Sequence, residues 1–305
     1  MSTYDIAIIG AGMAGLTAAK AGAAGGAKVI VLDGLGVGGQ VSTVEGITNA
    51  PGFDEPVAGF ELGVTLMAEG EAAGAEFMLG EAEGIEPADD GFAIASSEGT
   101  LHARAIILAA GSARRELGIP GEAEFAGRGV SRCASCDGPF FQGKRLVVVG
   151  GGDSAFDEAR VLADVAGEVL IVHDEAAPTA REEIVAELRD HPRVTLRPRA
   201  TLAAIEGADA VSGVRLRDLD SGEESELAAD GVFVYIGLDP HTSWLGDLVE
   251  LSDTGHVVAD ERCRTSRPGV LVAGDIRQGS AAMLDEAARD GTVAAQEART
   301  YLASS

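Results

Sequence analysis

At 305 residues and 46% hydrophobic content, the chain is long enough for two cored domains, and no apolar run approaches the ~18 residues of a membrane helix. Its formal net charge of −26 repels phosphate backbones, so no nucleic-acid partner and no membrane are expected. Three cysteines are too few for a secreted disulfide framework, and one C-x-x-C with no second pair or histidine cluster does not make a zinc site, so no metal is expected.

The N-terminus enters a strand almost at once and lacks a charged leader with a cleavage site, which predicts a cytoplasmic protein. The stretch YDIAIIGAGMAGLTAAKAGAAGGAKVIVLDG, Tyr4 to Gly34, reads as strand, glycine turn, alanine-rich helix and second strand. Gly10 permits the tight turn, Gly12 lets backbone approach a pyrophosphate, and Gly15 lets the helix pack on the strand. The pyrophosphate would sit on the helix N-terminus. Asp33 closes the second strand, placed to accept from a ribose hydroxyl. A strand over Arg104 to Ala109 ends in a glycine turn and a linker.

Cys133 and Cys136 follow in CASCDG. A reactive dithiol is the leading reading of that spacing, and Asp137 is equally suited to carry a proton for it or to cap a helix. KRLVVVGGGDSAFDEARVLADVAGEVLIVHDE, Lys144 to Glu175, repeats the first pattern with Gly150, Gly152 and Ala155. Asp153 and Ser154 open its helix, and Asp174 and Glu175 follow its second strand. The chain leaves the first domain near Gly111 and returns near Leu238, so the fold class is α/β with two Rossmann-like domains. The first spans 1–112 and 239–305, and the second, 113–238, is inserted in it. A last strand, Val270 to Ala273, leads through a Gly274–Asp275 turn to a long alanine-rich helix.

These residues carry a resemblance. GAGMAG, GGQ (Gly38 to Gln40), NAPGF (Asn49 to Phe53), CASCDG, FFQGKRLVVVGGGDSAFDEA, IGLDPHT and TSRPGVLVAGD together resemble the low-molecular-weight thioredoxin reductases of the flavin-dependent disulfide reductase class, over nearly the whole chain. The resemblance implies an FAD domain split by an inserted nucleotide domain, and a homodimer. It implies that Gly10, Gly12, Gly15 and Asp33 hold the ADP half of FAD. Gly39, Gln40 and Asn49 would line the flavin side. Asp275, in its turn with Gly274, would bond the ribityl chain, and the helix after Gly279 would aim at the flavin's pyrimidine edge. Cys136 would exchange electrons with the flavin, Cys133 would attack a substrate disulfide, and Asp137 would transfer protons. The substrate would be thioredoxin or a small relative.

The sequence departs from that family twice. Members that use NADPH carry His-Arg-Arg after the second strand of the nucleotide domain, and a further Arg four positions later. Here His173 is kept, but Asp174, Glu175 and Thr179 stand at the arginine positions, and Arg181 is out of register. Two anions near a 2′-phosphate are repulsive, so NADPH is disfavoured. Asp174 at a strand end suits the ribose hydroxyl of NADH, bound with Gly150, Gly152, Asp153 and Ser154. The alternative is that no pyridine nucleotide binds and a donor such as ferredoxin serves. The second departure lies at the start of the final helix, where the family's Arg-Gln-Ala is Ala282, Met283 and Leu284, with Arg277 and Gln278 earlier. Two other functions compete: a dithiol oxidase passing electrons from a small molecule to oxygen, and a flavin-binding module that does not turn over. Asp137 argues against the oxidase, whose members tend to have His there, and the intact C-x-x-C-D argues against the module.

Overall fold

The computed structural model describes residues 3–304 other than 45, 48, 49, 51 and 54; Asn49, expected on the flavin side, lies outside the described residues. In chain order the elements are β1 (Thr3–Ile9), α1 (Met13–Ala24), β2 (Val29–Asp33), α2 (Gly59–Ala73), β3 (Glu76–Leu79), β4 (Ala82–Ala88), β5 (Gly91–Ser96), β6 (Gly99–Leu108) and β7 (Ser112–Arg114). Next come β8 (Val130–Ser131), α3 (Ala134–Asp137), β9 (Arg145–Val149), α4 (Asp153–Val165), β10 (Glu168–Val172), α5 (Glu182–Arg189) and β11 (Val194–Arg197). β12 (Ala200–Gly207), β13 (Val211–Asp218), β14 (Glu224–Ala228), β15 (Gly231–Val234), β16 (Leu238–Pro240), β17 (Val270–Val272) and α6 (Leu284–Ser304) complete the chain. The chain divides into two compact units, Met1–Ala113 with Asp239–Ser305, and Arg114–Leu238.

The first unit is built on parallel strands in the order β3-β2-β1-β6-β17. Its strands read as unbroken apolar runs because both faces are covered. Ile6 and Ile8 of β1, Val29 and Val31 of β2, and Ala105 and Ile107 of β6 enter the core that also holds α1 and α6. Their neighbours Ala7, Ile9, Ile30, Leu32, Ile106 and Leu108 enter the core on the opposite face. Small buried residues such as Ala18, Ala19, Ala294 and Ala298 bring α1 against α6. The strand expected over Arg104 to Ala109 is longer and starts at Gly99. Its first half pairs antiparallel with β5, itself paired with β4.

The second unit repeats the plan with parallel strands in the order β11-β10-β9-β15-β8. Leu146, Val148 and Phe233 pack with α4 and α5 on one face. Val147, Val149, Val232 and Val234 pack on the other against the antiparallel meander β12-β13-β14, through Leu202, Ile205, Val211 and Val214. β1 in the first unit and β9 in the second each deliver the chain to a glycine turn at the carboxyl edge of the sheet, where α/β proteins bind ligands. Among the described residues no helix is long and apolar enough to cross a membrane.

Candidate active site

In the first unit the turn after β1 brings the expected cofactor residues together. Gly10 has φ +110°, and a Cβ there would lie 2.3 Å from the Ala109 carbonyl oxygen; only glycine takes this turn without strain. A Cβ on Gly15 would lie 1.9 Å from the Gly10 carbonyl oxygen, so the helix starts hard against the turn. A Cβ on Gly39 would come within 3.1 Å of the Gly12 Cα, which shows how closely that backbone approaches. The Gly274 turn packs on Ala14 of α1. Gln40 Nε2 donates to the Ser112 carbonyl at 2.6 Å and reaches Asp275 Oδ2 at 3.5 Å.

The cradle fits a dinucleotide. α1 begins at Gly12 with no side-chain cap and no acid in its first turn, so its leading N–H groups and positive dipole end face an incoming pyrophosphate without competition. Asp33 is held ready beside it: Oδ2 accepts the Ala11 N–H at 2.7 Å, and Oδ1 accepts those of Leu35 and Gly36, each at 2.8 Å. About four lone-pair directions exist on a carboxylate, and these three bonds leave one on Oδ2 to accept a further donor such as a hydroxyl.

The final helix begins at Leu284, after Gly279 and at the position where the sequence placed its start, and its first turn carries Asp285 and Glu286. Arg277, out of register by sequence, is turned into the unit: Nε pairs with Asp290 Oδ2 at 2.8 Å, and Nη2 lies 3.4 Å from Glu286 Oε1. Asp290 is 3% exposed, so this guanidinium neutralises a buried acid.

In the second unit a cavity of about 610 Å³ opens beside the Gly150 turn. Gly150, Gly152, Asp153, Ser154 and Asp174 line it, together with His173 and Glu175. Its charge is acidic. Arg115 is the one lining cation among the described residues, against Glu116, Asp153, Asp174 and Glu175. Arg181 is absent from the lining: its backbone N–H and Nε bond Asp153, at 2.7 and 3.3 Å, and Nη2 reaches Asp157 at 3.2 Å. Arg197 and Arg199 are paired with Asp218 and Asp220. His173 is 2% exposed, with both ring nitrogens lacking a partner. Burial pushes its pKa down, against the pull of Asp174 and Glu175, which makes it a neutral wall rather than a phosphate ligand.

The dithiol lies in the same unit, where Cys133 and Cys136 form a disulfide. Cys133 is the N-cap of the single turn α3, and its Sγ accepts the Cys136 N–H at 3.2 Å. An amide aimed at sulfur stabilises a thiolate there once the bond is reduced. Cys133 is half-buried and Cys136 exposed. Asp137 stands at the N-cap position of the following 3₁₀ turn, Gly138–Phe141, but its side chain makes no capping bond there. Its Oδ2 accepts the Ser131 hydroxyl at 2.5 Å, a charge-assisted bond. Ser131 Oγ also accepts the Cys133 N–H at 3.1 Å, so this serine links the carboxylate to the backbone of the first cysteine. Sequence reasoning passed over Ser131, although it stands two residues before Cys133. It also passed over Glu158 and Tyr235, whose roles depend on contacts between distant segments.

A family model described as pyridine nucleotide-disulphide oxidoreductase matches residues 4–295. The thioredoxin reductase of Treponema pallidum is 40% identical over 299 residues, covering 98% of this chain and 97% of that protein. That of Bacillus subtilis is 38% identical over 300 residues, covering 98% and 95%. The crystal structure of the thioredoxin reductase from Streptococcus pyogenes superposes with a TM-score of 0.82 at 35% identity, covering 99% of each chain. A match along both nucleotide-type sheets and the cysteine turn between them leaves one conclusion: this chain belongs to the pyridine nucleotide-disulphide oxidoreductase family and is a flavin-dependent disulfide oxidoreductase.

Proposed function

We propose that this enzyme reduces a protein disulfide, most simply that of thioredoxin, through Cys133 and Cys136. We further propose that its electrons come from NADH, or from a non-nucleotide donor such as ferredoxin, rather than from NADPH. The observation that carries the reading is the cysteine turn: a disulfide whose first sulfur takes an amide N–H and whose following aspartate is anchored by a serine. Gly10, Gly12, Gly15, Asp33, Gly39, Gln40, Gly274 and Asp275 would hold FAD, which would supply the two electrons needed to return the disulfide to the dithiol.

The residues then divide the exchange. The Cys133 thiolate attacks one sulfur of the substrate disulfide, and the other substrate sulfur leaves as a thiolate and is protonated. Cys136 attacks the Cys133 sulfur of the mixed disulfide, reforming the enzyme's disulfide and releasing the second substrate thiol. The proton comes from the Cys136 thiol as it attacks, and Asp137, oriented by Ser131, passes it to the leaving thiolate. The relatives named above are thioredoxin reductases, which supports thioredoxin as the acceptor. The protein is read as a cytoplasmic homodimer, the assembly that the resemblance implies.

The acidic cavity supports the donor assignment. Asp174 and Glu175 stand where a 2′-phosphate would need cations, and the nearest sequence candidate, Arg181, is engaged by Asp153 and Asp157. Anaerobic mixing of the flavin-loaded protein with NADH is expected to bleach the flavin at least about tenfold faster than NADPH does at equal concentration. Bleaching by neither would assign the donor to ferredoxin or a similar carrier; faster bleaching by NADPH would contradict the assignment.

A further inference from the structure

Glu158 lies on α4, within a buried apolar stripe formed by Ala155, Phe156, Ala159 and Leu162. A carboxylate in such company needs partners, and it has two. Oε2 accepts the Ala134 N–H at 2.8 Å and the Tyr235 hydroxyl at 3.1 Å. Ala134 is fully buried and follows Cys133 directly. Tyr235 follows β15 and lines the cavity of the second unit. Burial and the adjacent Glu158 push the Tyr235 pKa up, so the phenol remains a donor across the working pH range.

The Ala134 N–H is the first amide of the turn that begins at Cys133. Amides at such a start are left unpaired by the helix; the capping side chain ordinarily accepts from the second or third of them, and the first is left to another acceptor. Here Glu158 takes that amide and brings a negative charge to it. The amide that does reach Cys133 Sγ is that of Cys136. The other charged groups about the turn are already engaged: Asp137 with Ser131, Arg132 with Glu122 and Glu116, and Arg114 with the Arg132 carbonyl.

We propose that Glu158, steadied by Tyr235, is a positioning residue for the dithiol: it fixes the Ala134 peptide and, by its charge, makes the reduced Cys133 sulfur a poorer thiolate than the turn alone would. A dithiol whose thiolate is strongly stabilised is an oxidant, and one whose thiolate is less stabilised is a reductant. Glu158 thus biases the pair toward giving electrons away. The inference rests on the reading of Cys133–Cys136 as the redox pair.

The test uses the flavin-loaded Cys136→Ser protein, chemically reduced, with iodoacetamide alkylation of Cys133 followed from pH 5 to 10. Cys263 is silent in this assay, being buried with its pKa pushed up to about 12. Adding Glu158→Gln keeps an acceptor for the Ala134 N–H and removes the charge. The alkylation midpoint is expected to fall by about half a unit to one unit, giving roughly three- to tenfold more thiolate below the midpoint. Glu158→Ala should move it the same way. Midpoints that stay in place or rise in both variants would overturn the proposal, and a purely structural role would lower the melting temperature without moving the titration. Because the thiol is titrated on chemically reduced protein, this result is separate from whether the flavin delivers electrons to the pair.

Discussion

Serine at position 133 or 136 is expected to lower turnover with a protein disulfide by roughly a thousandfold or more, the usual cost of removing a nucleophile from a unit that acts together. The two variants should differ in what they leave behind. With Cys136→Ser the Cys133 sulfur can attack the substrate but nothing resolves the bond, so a mixed disulfide with the substrate accumulates and is visible on a non-reducing gel. With Cys133→Ser no such adduct is expected. The structure supports this polarity through the Cys136 N–H donated to Cys133 Sγ, an interaction that favours the thiolate on the first cysteine. Exposure alone points the other way, since Cys136 is the more open of the two. Access decides which sulfur a probe can touch, whereas thiolate stabilisation decides which sulfur attacks. An adduct trapped in Cys133→Ser and not in Cys136→Ser would reverse the assigned roles.

The second large effect concerns the donor. The double substitution Asp174→Arg with Glu175→Arg is expected to tighten NADPH binding by about ten- to a hundredfold, as two repulsive anions become two bidentate cations beside a phosphate. NADH affinity should fall or hold, because Asp174 is the residue proposed to bond its ribose hydroxyl. The background makes the comparison clean. Arg181 is paired with Asp153 and Asp157 and lies outside the cavity lining. His173 stays buried and neutral behind the Gly151 peptide. Calorimetric titration with each nucleotide measures the change. If neither affinity moves, the cavity beside Gly150 is not where a pyridine nucleotide binds.

Local signals were readable in the sequence and long-range partnerships were not. The two glycine turns announce themselves because each needs a positive φ and a close helix start, which few residue types permit. The C-x-x-C and its aspartate are contiguous, so their association required no fold. The two sheets followed from apolar runs long enough to be covered on both faces. The meander β12-β13-β14 was missed because β14 is exposed throughout and β13 alternates only loosely, so its period is faint. The extended start of β6 was missed because residues 99–101 pair with β5 across a tight hairpin before the parallel pairing with β1 begins at His102. The sequence showed only that Arg277 is out of register with the family's arginine; its partners Asp290 and Glu286 lie on α6, and only the packed helix shows that the charge is spent there. Glu158 was the one long-range group with a usable sign, a carboxylate at helical spacing from Ala155 and Leu162. Its partners Ala134 and Tyr235 come from segments 24 residues before and 77 residues after.

Whatever the donor, electrons are proposed to leave this flavoprotein through Cys133 and Cys136 to a protein disulfide. One measurement bypasses the donor: photoreduce the flavin-loaded protein without oxygen, add oxidised thioredoxin, and count thioredoxin thiols against flavin reoxidised. Two new thiols are expected for each flavin, from the two-electron stoichiometry of the exchange, and none in Cys133→Ser. A reduced flavin that persists with thioredoxin yet reoxidises promptly in air would contradict it and point to an oxidase.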